Sequence, residues 1–219
     1  MKKENEIKIQ EIFSLAFKNH KEKNYIVAKN FYNKVLQINP NHFESIFLLG
    51  SLAMQNNNLT QSKDYYERAA KIKPGEANTF YNLGVVNTEL GDLVEAVASY
   101  EKALLLRTNH ANTYNNLGLV LLKLGQYKKA ISFYEKAITV DAKHANAYNN
   151  LGLAFKNLNN LNKAKNYYEK ALSLEPNNEK FNSNYGELLL SLNFHKKGLE
   201  YINKGSGFIN FTQENFKIT

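Results

Sequence analysis

The sequence contains no cysteine. Disulfides, thiolate nucleophiles and thiolate metal sites are therefore excluded, which fits a reducing compartment. No apolar run approaches the roughly 20 residues that a membrane-spanning helix needs. The first residues, Met1-Lys2-Lys3-Glu4-Asn5, mix amines, an acid and an amide instead of opening an apolar signal core. The expected location is the cytoplasm, with no membrane as partner. Arginine is nearly missing: only Arg68 and Arg107 occur, so the net charge of +8 is lysine charge. Asparagine, isoleucine, tyrosine and phenylalanine are abundant alongside lysine, a pattern that a codon bias toward A and T produces. The charge thus reads as a solvated lysine face, and no nucleic-acid partner is expected. No Gly-rich phosphate loop, serine elbow or HExxH motif is present.

What the chain does have is a period. Gly50, Gly84, Gly118, Gly152 and Gly186 are each 34 residues apart, and Ala16 fills the slot one period earlier. A second small residue follows each by twelve: Ala28, Ser62, Ala96, Ala130, Ala164 and Gly198. A fixed period of this length marks a solenoid, in which each unit buries its apolar face against its neighbours. Such an architecture offers an extended surface, not a pocket with a catalytic cluster.

Residues 145–178 are the clearest copy. Tyr148, Leu151, Gly152, Phe155 and Leu158 recur three and four apart, as on one face of a helix. Asn159-Asn160 interrupts the pattern, Leu161, Ala164, Tyr168, Ala171 and Leu172 resume it, and Pro176 stops it. Each unit is thus a hairpin of two helices, each too short to be stable alone and held by packing. The glycine and the following small residue mark where the two helix backbones are expected to approach most closely, with the tyrosines filling the space beside them.

These residues resemble the tetratricopeptide repeat: a bulky residue, Leu-Gly, then alanine, aromatic, alanine and proline at fixed offsets. The resemblance covers residues 9–212 as six copies, 9–42, 43–76, 77–110, 111–144, 145–178 and a degenerate 179–212. Residues 1–8 extend the first helix, and 205–219 form a tail or linker. The implied fold is all-α, a right-handed superhelical solenoid of antiparallel hairpins. The implied function is a non-enzymatic scaffold that binds an extended peptide of a partner protein along its concave side.

Carried over residue by residue, the concave positions form rows of asparagine: Asn82, Asn116, Asn150 and Asn184 in one, and Asn78, Asn112 and Asn146 in a second. Tyr81, Asn115 and Asn149 complete the candidate groove. A carboxamide offers both donor and acceptor, the complement of a peptide backbone. A grip on a C-terminal carboxylate, used by some relatives, is disfavoured because these positions hold no arginine and include Glu44 and Glu89. Phe13, Phe17, Phe47, Leu48 and Met54 are expected to be core covered by the N-terminal residues, an apolar groove end being the alternative.

No active site, metal or cofactor is expected. His42, His110 and His144 all end a repeat, and a layer spacing of about 8 to 10 Å keeps them too far apart to share an ion. Glu67, Glu101, Glu135 and Glu169 also recur at one repeat position, which makes them scaffold. Gly205-Ser206-Gly207 is expected to break the last helix, with a strand-like Phe208-Ile209-Asn210-Phe211 folding back over Leu188, Leu192 and Leu199. Two alternatives remain: a recruitment module of a larger enzyme, such as a protein glycosyltransferase, or a structural element that self-associates through its end faces or tail.

Overall fold

The structure, a computed structural model, describes the backbone of residues 2–206, 209–212 and 215–218 and the side chains of 4–205. The chain divides into two compact units, Met1–Thr108 and Asn109–Thr219. The first contains α1 (Lys2–Lys21), α2 (Tyr25–Ile38), α3 (Phe43–Gln55), α4 (Leu59–Ile72), α5 (Ala77–Leu90) and α6 (Leu93–Leu106). The second contains α7 (Ala111–Lys123), α8 (Tyr127–Val140), α9 (Ala145–Asn157), α10 (Leu161–Leu174), α11 (Glu179–Ser191) and α12 (His195–Ser206). Each odd-numbered helix packs against the even-numbered helix that follows it, so each unit is a stack of hairpins.

The turn inside every hairpin has one residue at positive φ: Lys23, Asn57, Gly91, Gly125, Asn159 and Asn193, again spaced by 34. A left-handed residue ends a helix by returning the backbone toward its own last carbonyls. Gly91 and Gly125 adopt it without steric penalty and asparagine tolerates it, whereas Lys23, at φ 62°, does so under strain. The next residue opens the second helix. Asn58 and Asn160 cap α4 and α10, their side chains accepting from the amides of Gln61 and Lys163 at 3.2 Å each. The turns between hairpins are capped by His42, Glu76, His144 and Asn178. Two of the three recurring histidines, His42 and His144, therefore satisfy helix ends, whereas the His110 ring meets the Thr113 hydroxyl at 2.6 Å.

Packing inside the hairpins differs from the expected close approach of backbones. Tyr66, Tyr100, Tyr134 and Tyr168 are buried, and each ring covers the glycine sixteen residues before it. A Cβ on Gly84, Gly118 or Gly152 would lie only 2.5, 2.6 and 2.6 Å from the facing ring, and on Gly50 3.0 Å. The ring, not the opposite helix backbone, demands glycine there. The following small slot does meet backbone, since Ser62 Oγ donates to the Gly50 carbonyl at 2.9 Å. Only in the last hairpin does the glycine itself face main chain: a Cβ on Gly186 would come within 2.7 Å of the Gly198 carbonyl oxygen. Gly205 lies against the Glu179 carbonyl and Ser183, and α12 runs through it to Ser206 instead of breaking. The glycines of the sixth copy thus let two helices touch.

Beyond α12 the backbone forms β1 (Ile209–Thr212) and β2 (Asn215–Ile218), an antiparallel pair with Ile209 opposite Ile218. The expected cover of Leu188, Leu192 and Leu199 by this tail involves side chains outside the described residues, as does Phe208. At the other end, residues before Phe13 belong to α1 itself. Ile7 and Phe17 are exposed, with Lys21 Nζ 4.6 Å above the Phe17 ring. Phe13 instead joins a cluster with the Tyr32 and His42 rings, and Phe47 packs edge-on against Tyr66.

Candidate peptide-binding face

In the second unit α9 contacts both α7 and α11, so the first helices of three hairpins lie side by side. This wall carries seven of the candidate residues, and the structure sorts them into two sets. Asn149 is fully buried, and Asn150 and Asn115 are 5% and 8% exposed. Their amides form a chain. Asn184 Nδ2 donates to Asn149 Oδ1 at 2.9 Å, and Asn149 Nδ2 to Asn150 Oδ1 at 3.5 Å. Asn150 Nδ2 donates to Asn115 Oδ1 at 2.9 Å, and Asn115 Nδ2 to Asn116 Oδ1 at 3.2 Å. The three inner amides use both oxygen and nitrogen within this chain of five. The physical reason is that a buried amide must be bonded, and the nearest polar groups between these helices are the next hairpin's asparagines. The family resemblance assigned these side chains to the groove; in the structure they are buried and bonded to one another as a polar seam linking α7, α9 and α11.

The second set faces outward. Asn112 and Asn146 are exposed; Asn116 and Asn184, at the ends of the chain of amides, are half-exposed. The Asn146 side chain has no hydrogen bond to any described residue. Asn112 Oδ1 is 2.9 Å from His144 Nε2. His144 Nδ1 accepts from the Ala147 amide at 3.2 Å, so the proton is on Nε2, which donates to Asn112. Half-buried Leu119, Leu122, Leu153 and Leu190 lie at the intervening wall positions. Lys156 and Glu187 form an ion pair at 2.9 Å. The face is thus amide and aliphatic, with its central charge neutralised.

In the first unit Asn78 is exposed and accepts from Arg107 Nη1 at 3.4 Å. Tyr81 is half-buried, its ring 6.1 Å from that of Tyr100, and Asn82 is half-exposed. Glu44 is paired with Lys73 at 2.7 Å. Among the described residues no group of three or more His, Asp or Glu could hold a metal ion. None of the described helices is long and apolar enough to cross a membrane. The network of buried amides was missed in the sequence; the signal available was the doublet Asn115-Asn116 repeated as Asn149-Asn150.

Two family models described as Tetratricopeptide repeat match the chain, one over 75–143 and 110–175, the other over 19–42 and 43–76. The chain belongs to the tetratricopeptide repeat (TPR) family. The crystal structure of the MamA protein is similar at a TM-score of 0.72 and 27% identity, covering 77% of this chain and 92% of that one. MamA from residue 41 onward, of Desulfovibrio magneticus RS-1, is similar at 0.68 and 27%, covering 75% and 93%. YrrB, described as a TPR protein with an unusual peptide-binding site, aligns at 0.63 and 22%, covering 80% and 90%, a likeness that bears on the fold. No curated protein sequence matches the chain. A TPR array is a scaffold for protein–protein interaction, so a protein or peptide is the partner class.

Proposed function

We propose that the TPR protein holds an extended segment of a partner protein against the first-helix wall of its second unit. Asn112, Asn116, Asn146 and Asn184 pair with the segment's main chain, and Leu119, Leu122 and Leu153 receive its side chains. Asn115, Asn149 and Asn150 do not touch the segment; they hold the outer amides in place. Asn78, Tyr81 and Asn82 offer the same chemistry on the first unit. The observation that carries this reading is the exposed carboxamide of Asn146, without a partner among the described residues, on the same face of α9 as half-buried Leu153 two turns on. An amide that no fold contact explains, next to aliphatic surface, suits a backbone ligand with apolar side chains.

The experiment is selection of binding peptides from a random library on the wild-type chain, followed by calorimetry on an Asn112→Ala/Asn146→Ala variant, which removes exposed amides and orphans no buried group. Loss of two net hydrogen bonds at about 1 kcal/mol each weakens binding by roughly thirtyfold. Equal affinity for the variant and the wild type overturns the reading. Asn150→Ala is unsuitable because it orphans buried partners.

A further inference from the structure

The hairpin turns of the second unit occupy residues 122–131, 156–165 and 190–199, and they hold eight lysines and no aspartate or glutamate. Lys123, Lys128, Lys129, Lys196 and Lys197 are exposed and form no ion pair with any described residue. The fold does not favour this charge. Lys128 and Lys129 stand in the first turn of α8, and Lys196 and Lys197 in that of α12, with no acid in either turn. A helix N-terminus carries the positive end of the peptide dipoles, so cations there are disfavoured. In the first unit, by contrast, the turn before α6 has Glu89, Asp92 and Glu95.

Apolar side chains accompany the lysines. Each turn exposes a large one: Leu124 at 37%, Leu158 at 39% and Phe194 at 54%. Leu158, Tyr127, Lys128 and Lys129 border an open notch of about 530 Å³ between neighbouring hairpin turns.

We propose that this turn edge is a second interaction surface, which docks an acidic segment of a partner protein carrying bulky apolar side chains. The unpaired lysines supply the complement for carboxylates. The notch supplies a seat for an aliphatic or aromatic side chain, which a flat bilayer surface would leave unfilled. The turn edge meets the first-helix wall at Leu122, Lys156 and Leu190, but Lys128, Lys129 and Lys196 lie outside that wall, in α8 and α12, and the test on them does not depend on it.

The probe is a synthetic peptide that alternates glutamate with leucine and phenylalanine, titrated by fluorescence anisotropy against the full chain. Controls are polyglutamate, vesicles of phosphatidylserine and phosphatidylcholine, and single-stranded DNA. The expected result is saturable binding of the mixed peptide, weaker binding of polyglutamate, and an affinity that falls as salt rises. A Lys128→Glu/Lys129→Glu/Lys196→Glu variant should bind about tenfold or more weakly, the effect of three exposed ion pairs. The same variant should melt at a higher temperature, because acids replace lysines at helix N-termini. Opposite signs in affinity and stability would show that these charges serve binding. No saturable binding at millimolar peptide, equal binding of polyglutamate, tighter binding of vesicles or DNA, a lower melting temperature, or an unchanged affinity in the variant each overturns the proposal.

Discussion

Gly118 faces the Tyr134 ring at a distance that leaves no room for a methyl group. Alanine there gains about 1 kcal/mol of helix propensity. It also overpacks a fully buried ring, at about 1 to 3 kcal/mol. Gly118→Ala is therefore expected to destabilise the fold, whereas Gly50→Ala, with 3.0 Å available, should be close to neutral. Ala16, which occupies this slot opposite buried Tyr32, shows that a methyl group fits when the ring can shift. Urea denaturation of both variants tests the ordering. The tyrosine hydroxyls give a second contrast. Tyr134 Oη is buried without a hydrogen-bond partner among the described residues, and burial raises its pKa. Tyr185 Oη donates to Glu169 Oε1 at 2.6 Å. Tyr134→Phe should leave stability unchanged or raise it, and Tyr185→Phe should lower it by about 1 to 2 kcal/mol. A loss at Tyr134 equal to that at Tyr185 would contradict the accounting.

Within the elements, the hairpin turn and the polar seam set the geometry. Lys23 occupies the left-handed position that Gly91 and Gly125 fill in other copies. Lys23→Gly should stabilise the first unit by about 1 kcal/mol, read as a higher melting temperature. The seam predicts the opposite for Asn149→Leu. That change takes the donor from buried Asn150 Oδ1 and the acceptor from half-exposed Asn184 Nδ2, while Asn150 Nδ2 keeps Asn115, at about 1 to 3 kcal/mol for the buried orphan. Helix boundaries and hairpin pairing were legible because local spacing sets them: Pro176 and Asn159-Asn160 stop helices whatever lies next to them. The role of the glycines was only half legible. Their spacing marked a close contact, but whether a ring or a backbone makes that contact depends on the rotamer of a residue sixteen positions on. The same limit applied to Asn115, Asn149 and Asn150, whose burial depends on the packing of the next hairpin.

For the molecule as a whole, acidification acts on the first unit through two histidines. His20 and His42 both lie below the usual 6.5, chiefly because burial disfavours the cation; at His42, Glu44 opposes that shift and Lys73 adds to it. The unfolded chain takes up these protons at higher pH than the folded chain. Stability is therefore complete above pH 6.5 and declines as pH falls below it. Glu44 adds a later loss. Burial alone would raise its pKa, but the hydrogen bond and charge of Lys73, its own backbone amide and His42 together lower it below 4.5. Its contribution is present above that pH and lost beneath it. Urea titrations at about pH 7.5 and about pH 5.5 should show lower stability at the acid value, with a smaller difference in His42→Asn, which keeps the cap and removes the titration. An equal difference in that variant would exclude His42 as a source.

The sequence by itself determined the period, the hairpin, the family and the presence of amide-rich first helices, because helical spacing and turn chemistry act over a few residues and repeat without change. Only the tertiary structure decided which amides meet solvent and which bond one another, and which lysines stand unpaired. Burial and pairing are set by groups that lie about one repeat away in the chain and only a hydrogen bond apart in space.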